Sequence, residues 1–404
     1  LGRHDEALAH AEELMRVAGD YRTPLYVFDT RELAARAKRL RSALPPGVGL
    51  CYAVKANTFV LAALEPLVDR LEACSPGEHR ICRALGVPGE KIVLSGVNKD
   101  ESTVEDAVAS GAPSIVTVES LAQLALVRRV ARSRGLRVPV LLRLSSGNQF
   151  GLDRADLERA AREAMGDRHL DLRGVQFFSG TQKDSVRRLR REVGRLGELA
   201  RGLRDSCGWE VAEIEYGPGL PVAYFEGDET DEDALLDGLA EAVGGLFRTA
   251  RVTIELGRSL VASCGTYLTR VVDAKEVAGQ RYAIVDGGMH QLVYYGQSMA
   301  MRRPPVRLLG AAPPEGPEEL PWNVCGSLCT TNDILVKRLP LAGLGEGSLL
   351  AFSRAGAYCA TEGIALFLSR DLPRVALVGA DGAPELVREG LRTDPLNTPS
   401  TRAR

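Results

Sequence analysis

The chain has 404 residues, 45% of them hydrophobic, and a formal net charge of −2. That is enough apolar material for a large barrel and an appended domain, and the near-neutral balance leaves no electrostatic footprint for nucleic acid or a membrane surface. No apolar run approaches the roughly 18 residues of a membrane span, no secretory leader is visible, and 44 Arg against 7 Lys make any Lys in an apolar setting conspicuous.

Residues 1–24 precede the first strand pattern and are expected to join a second domain. Short apolar runs rich in β-branched residues follow at Gly47–Lys55, Arg70–Cys74, Lys91–Gly96, Ser114–Glu119, Pro139–Leu144, Leu172–Phe178, Glu213–Gly217 and Val252–Gly257. Helical patterns such as Glu101–Ser110, Leu121–Arg134 and Ser185–Arg204 lie between them. Strands alternating with helices imply βαβ units and a parallel sheet. Eight of them predict an α/β fold, a (β/α)8 TIM barrel over residues 25–265. The arginines of 187–204 read as the solvated face of a barrel helix.

The pattern changes at residue 266. Thr266–Asp273 and Arg281–Val285 read as strands joined by a turn at Gly279, with further strands at Leu349–Ser353 and Arg374–Val378. Little helix separates them, so residues 266–385 are expected to form a mostly antiparallel β domain. Ala311–Glu319 reads as a loop and the last dozen residues as disordered. The eight cysteines, at 51, 74, 82, 207, 264, 325, 329 and 359, form no CxxC pair and have too few His nearby for zinc, so no metal is expected. Scattered thiols in a chain of this length fit a reducing compartment, the cytoplasm.

In a TIM barrel the chemistry sits at the C-terminal ends of the strands, and the unusual residues collect there. The first predicted strand ends in Lys55. The second runs into Ser75 and Glu78, the third into Asn98 and Lys99, and the fifth ends near Arg143. The sixth runs into Ser179, Gly180, Thr181 and Gln182, and the seventh into Gly217 and Gly219. The eighth carries Glu255, Gly257 and Arg258. Lys55, between Val54 and Ala56, is costly to bury unless it is paired or reacts. It is either a rim Lys with its head in water or a Schiff-base Lys. Gly217-Pro218-Gly219 and Gly257-Arg258 each suit a tight βα turn. Together, in the two loops where barrels often bind phosphate, they favour a phosphate group. Glu255 could pair with a protonated ring nitrogen, or form a salt bridge with Arg143 or Arg258.

These segments resemble, in order and spacing, the fold-type III pyridoxal 5′-phosphate (PLP) decarboxylases. That group contains diaminopimelate, ornithine and arginine decarboxylases and shares its barrel with alanine racemase. YAVKAN at 52–57 resembles the family's Schiff-base segment and ACSPGE at 73–78 its second-strand segment. SGVNK at 95–99, GPGLP at 217–221 and ELGR at 255–258 match in turn. CGSLCTTND at 325–333 resembles the family's cysteine loop, and AGAY at 355–358 its tyrosine motif. The likeness spans residues 22–380.

The resemblance implies a PLP-dependent α-decarboxylase of an amino-acid substrate. Lys55 would form the Schiff base with PLP and Glu255 would meet the pyridinium nitrogen. Gly219, Gly257, Arg258, Thr181 and Tyr358 would hold the phosphate, with Gly217 in the same loop. Cys329, which by itself reads as a small buried hydrophobe, would return the proton after CO2 leaves. It would reach the site of a partner subunit, so a homodimer is implied. Arg143, Thr330 and Asp333 are the residues expected toward the substrate. Three departures stand out. Phe178 occupies the place where the family often stacks a His on the PLP ring. The segment after the fifth strand is short, with Gln149 where many members have Lys. Thr330 follows the cysteine where enzymes of diamino substrates have an acid. A neutral Thr330 suits an amino-acid unit that is conjugated or tethered to a carrier protein. The alternatives are a diaminopimelate decarboxylase proper, an amino-acid racemase, and a homologue without PLP. The cysteine loop argues against the racemase, and Lys55, Glu255 and Arg258 together argue against the last.

Overall fold

The structure is a computed structural model that describes residues 2–109, 112–247, 250–310 and 318–400. It divides into two compact units, one of residues 34–222 and 230–260, the other of residues 1–33, 223–229 and 261–404.

The first unit is a closed barrel of eight parallel strands: β2 (Gly49–Ala53), β3 (Arg70–Ala73), β4 (Ile92–Leu94), β5 (Ile115–Val118), β6 (Val138–Leu144), β7 (Leu170–Phe178), β8 (Glu213–Gly217) and β9 (Arg251–Leu256), numbered after a strand β1 that belongs to the other unit. Ile92, Val93, Leu94, Ile115, Val116 and Val118 are all buried, the near-continuous apolar pattern of strands covered on both faces. Pairing of β2 with β9, Gly49 opposite Thr253 through Tyr52 opposite Leu256, closes the cylinder. Helices enter on side-chain caps: Ser75, Asp100, Ser120, Asp153 and Ser185 each accept the N–H of the third residue along. These caps fix where each strand-end loop stops, and so where the residues at the mouth stand.

The second unit is a nine-stranded sheet built on β1 (Leu25–Asp29), β10 (Gly265–Val277), β11 (Gln280–Val285), β12 (Val306–Leu309), β13 (Leu320–Cys325), β14 (Ile334–Leu341), β15 (Leu349–Phe352), β16 (Arg374–Val378) and β17 (Pro384–Arg388). Its pairings are antiparallel except β1 with β16 and β11 with β13. Leu14, Val17 and Ala18 of the first helix share a buried cluster with Leu25, Val27, Leu268, Ala376 and Val378.

The sequence expectations need several corrections. The barrel unit starts at Ala34 rather than at residue 25, because β1 is hydrogen-bonded between β10 and β16 of the sheet. Residues 223–229 also leave the barrel unit, where Tyr224 and Phe225 pack edge-on against Tyr294 at 5.8 and 6.1 Å. Lys55 lies two residues past its strand, in the 3-10 turn Val54–Ala56. Strands β1, β12, β13, β14 and β17 have no counterpart in the sequence pattern. Within the last dozen residues Asp394–Asn397 form a helical turn tied back by Asn397 to the Leu366 carbonyl at 2.8 Å. Most of the segment expected as a loop, 311–317, lies outside the described residues, as do 401–404.

Candidate active site

Strand alternation aims Glu72 of β3, Gln176 of β7 and Glu255 of β9 into the barrel, where all three are at least nine-tenths buried. The Lys55 ammonium, partly open to water, lies 3.4 Å from the Glu72 carboxylate and 3.5 Å from the Cys74 sulfur. Burial would raise the Glu72 carboxyl. The Lys55 charge and hydrogen bonds from the Glu255 carboxyl and Ser95 outweigh it and hold Glu72 at about 2. Burial, and then the Glu72 charge, push Glu255 up to about 8, with Lys55 opposing. The two acids therefore share one proton, kept on Glu255. Gln176 donates to Glu255 Oε2 at 2.8 Å and leaves its own Oε1 without a partner among the described residues.

The loops after β7 and β8 are clamped together. The Gln182 side chain accepts from the Val222 N–H at 2.8 Å and donates to the Val222 carbonyl at 3.0 Å. Gly219 has φ +62°, and a Cβ there would stand 2.1 Å from the Gly180 carbonyl, so only glycine lets these two backbones meet. The Phe178 ring lies against Gly217. Buried Arg258 donates to the Thr181 hydroxyl at 3.4 Å, and Gly257 immediately precedes it. Behind these loops Lys183 is fully buried and pairs with Glu192 at 2.7 Å while donating to Ser179 at 3.0 Å.

Other mouth residues have structural duties. Ser75 caps its helix, and Glu78 accepts the Cys74 N–H at 2.7 Å. Lys99, which burial lowers to about 8, donates to Gln123 at 3.2 Å and lies 3.9 Å from Glu119. Arg143 is buried, 3.3 Å from Glu119 and 4.8 Å above the Phe150 ring, with its Nε unpartnered among the described residues. It pairs with Glu119, not with Glu255. Asn98 and Gln149 are exposed. Glu72, Gln176, Lys183 and Glu192 escaped the sequence reading. An acid in the apolar four-residue strand Arg70–Ala73 was the signal for the first.

In the sheet unit, Cys329, Thr330 and Asp333 share one loop. Asp333 is 2% exposed, and its carboxylate accepts the Met289 and Leu328 N–H groups at 2.7 and 2.8 Å. A Cβ at Gly326 or Gly288 would stand 2.2 or 2.6 Å from that carboxylate, so both glycines make room for it. Cys329 sits exposed at the loop's tip and Thr330 is half-buried beside it. Tyr358 is half-buried in left-handed backbone, φ +65°, and its carbonyl accepts the Thr361 and Glu362 N–H groups. Among the described residues one group of metal-ligand types, His10, Glu13 and Asp29, comes within 4.8 Å. Arg31 already bridges its carboxylates at 2.6 and 2.7 Å.

A model of the pyridoxal-dependent decarboxylase pyridoxal-binding domain matches residues 30–262, more than half of the chain. The chain belongs to the pyridoxal-dependent decarboxylase family. It is 32% identical over 382 residues to diaminopimelate decarboxylase of Pseudomonas aeruginosa, covering 88% of each chain. It is 27% identical over 401 residues to L-glutamyl-[BtrI acyl-carrier protein] decarboxylase of Niallia circulans, covering 93% of each. Diaminopimelate decarboxylase from Helicobacter pylori complexed with L-lysine superposes with a TM-score of 0.83 at 23% identity, over 95% of this chain and 98% of that one, and so shares its fold.

The barrel mouth of this decarboxylase fits PLP. An amine stands at its rim. A buried carboxyl, held protonated by burial and by the Glu72 charge, can receive a ring N–H. A glycine-lined cradle carries a buried Arg and a hydroxyl for a phosphate. Lys55, Glu255, Arg258, Thr181, Gly219 and Phe178 are the barrel residues that would hold the cofactor, which when bound supplies an electron sink for the pair left by a departing carboxylate. Glu72 keeps the Lys55 amine oriented toward the barrel axis. Gln176 holds the Glu255 carboxyl in plane. The hydrogen-bonded clamp of Gln182 fixes the cradle before any ligand arrives.

Proposed function

We propose that this decarboxylase removes the α-carboxylate from an amino-acid unit carried on a larger molecule, conjugated or tethered to a carrier protein, with Lys55 as its Schiff-base residue and Cys329 of the partner subunit returning the proton. One observation carries the substrate reading. The cysteine loop offers no free carboxylate. Thr330 follows Cys329, and Asp333 is engaged by two backbone N–H groups inside the loop. A distal ammonium buried without a carboxylate costs several kcal/mol, so a free diamino acid is a poor fit. A relative of similar length acts, by its name, on a carrier-bound glutamyl group, which supports the same reading.

The homodimer draws support from the sheet unit's surface. Ile364, Leu366, Phe367 and Leu368 are 43–50% exposed in one short segment, an apolar patch suited to a second copy. All eight cysteines are free, in keeping with a reducing cytoplasm. A second reading, diaminopimelate decarboxylase itself, rests on the 32% identity to that enzyme. Kinetics on free diaminopimelate, lysine and ornithine decide between them. Barely detectable turnover is expected. A kcat/KM near 10⁴ M⁻¹s⁻¹, roughly the lower end for a natural substrate, returns the assignment to the free diamino acid.

A further inference from the structure

The helix Val186–Cys207 buries Leu189, Val193, Leu196, Leu199 and Leu203 against the barrel. That spacing leaves Arg188, Arg191 and Arg195 along one edge, three and four residues apart. Like charges so placed repel one another, and most arginines of this chain relieve that with an acid. Arg190 pairs with Glu241 at 2.6 Å, Arg154 with Glu158 at 2.8 Å and Arg159 with Glu163 at 3.1 Å. Arg188 is likewise met by Glu192 at 3.1 Å. Arg191 and Arg195 have neither ion pair nor hydrogen bond among the described residues.

They line a cleft of about 390 Å³. Ser145 and Ser146, in the shortened segment after β6, also line it. Leu144 and Phe177, both half-buried, add apolar surface to the lining. Glu192 is the one carboxylate among the described lining residues. It already accepts from Lys183 and Tyr216 at 2.7 Å, from Ser179 at 2.6 Å and from Arg188, so it cannot neutralise the other two guanidiniums. The cleft lining thus combines cationic, hydroxyl and apolar groups. Guanidinium forks together with hydroxyls suit an acceptor with several charged oxygens. The apolar part suits an aliphatic arm attached to it. Ser179, on the cleft wall, immediately precedes Gly180 and Thr181 of the cofactor cradle, so the cleft opens beside the barrel mouth.

We propose that this cleft binds a phosphate ester borne on the aliphatic arm that carries the amino-acid unit. The inference rests on the reading of a conjugated substrate and names the chemistry by which the conjugate is recognised. Arg191 and Arg195 grip the phosphate, Ser145 and Ser146 donate to it, and the arm lies over Leu144 and Phe177 on its way to the mouth.

The test is calorimetry on the PLP-loaded enzyme, whose own phosphate cradle is filled, at low ionic strength. The probes are pantetheine 4′-phosphate, pantetheine and inorganic phosphate. The phosphorylated arm should bind at least tenfold more tightly than either of the others. Arg191→Ala/Arg195→Ala should erase that preference while the PLP absorbance and the melting temperature stay at their wild-type values. Equal affinity for the two arms overturns the proposal, as does a preference that survives the double substitution. Inorganic phosphate binding as well as the phosphorylated arm overturns its aliphatic half. Because the readout is affinity without turnover, it fails independently of the substrate kinetics: brisk decarboxylation of free diamino acids would undo the conjugate reading even with the phosphate bound.

Discussion

The barrel mouth and the cysteine loop hold their functional groups by different means. At the mouth the groups are ionisable and buried: Glu72 and Glu255 share a proton beneath Lys55, and Arg143 and Lys99 face Glu119. Their positions follow from strand alternation and their properties from each other's charge. In the loop the chemical group is an exposed thiol, held in place by side chains that grip the loop's backbone. Asp333, buried between Gly288 and Gly326, grips two N–H groups, and Arg370 donates to the Ser327 carbonyl at 2.7 Å. The mouth is therefore sensitive to a change of charge that preserves shape. The loop tolerates change at its tip and is sensitive at its anchor.

The largest effect belongs to the mouth. Lys55→Ala should abolish the absorbance band near roughly 420 nm expected of PLP bound to a Lys, and lower turnover by about 10³-fold or more, as when a covalent catalytic group is lost. A variant that decarboxylates at a normal rate would remove Lys55 from the chemistry. Mixing Lys55→Ala with Cys329→Ala chains joins the two regions. If the thiol crosses a dimer interface, free exchange should leave about a quarter of sites intact. No recovered activity despite demonstrated exchange places the thiol in its own subunit's site.

Next comes Glu255→Gln, which keeps the shape and removes the titratable proton. Turnover should fall on the order of 10²-fold, the scale of one preorganised electrostatic contact. The cofactor-free protein adds a pH test. The folded Glu255 carboxyl titrates near 8, above its ordinary 4.5, so its contribution to stability is complete below pH 4.5 and lost as pH rises through 8. Glu72, held near 2, is ionised in both states from pH 6 to 9 and adds nothing over that range. From pH 6 to 9 the cofactor-free wild type should lose about 3 kcal/mol more than Glu255→Gln. Parallel denaturation curves for the two would mean that the acid pair does not share a proton.

Third is the loop. Asp333→Ala leaves one buried and one half-buried N–H group without an acceptor and should cost about 3 kcal/mol in denaturant unfolding. Cys329→Ala, at an exposed tip, should stay within about 0.5 kcal/mol of wild type. Equal costs would erase the distinction between anchor and tip.

The same contrast separates what the sequence makes legible from what it hides. All eight barrel strands were legible because each is a short run rich in apolar residues, and five of them lead into a helix with a side-chain cap. Lys55, Arg258 and Glu255 were legible because charge at the end of such a run is costly to bury unless it is paired or reacts. Glu72 and Gln176 were hidden inside strands, where direction depends on register and sequence does not state it. In the sheet unit, β13 and β14 carry Trp322, Asn323, Lys337 and Arg338 among their apolar residues, so no clean alternation marked them. The assignment of β1 to that sheet rests on pairings across more than two hundred residues, which no local pattern carries. Asp333 looked like a substrate residue, since only the fold reveals the backbone that its carboxylate holds.

The smallest expected effect is a gain, and it tests why the loop excludes free diamino acids. Thr330 donates its N–H to the Leu328 carbonyl at 2.8 Å, and among the described residues its hydroxyl accepts only the exposed Asn332 N–H at 3.3 Å. Replacing the side chain therefore removes one weak contact and leaves the Asp333 anchor untouched. Thr330→Glu places a carboxylate beside Cys329, where a distal ammonium otherwise meets none. A partly exposed ion pair is worth up to about 1 kcal/mol, and one strengthened by desolvation about 1.5. The kcat/KM for free lysine or diaminopimelate should thus rise roughly tenfold at the upper figure. Thr330→Gln, of equal size and no charge, should give no gain, which separates charge from shape. If Glu and Gln behave alike while Glu362→Gln lowers the residual turnover of these amino acids, the exposed Glu362 supplies the acid. The neutrality of Thr330 would then say nothing about the substrate.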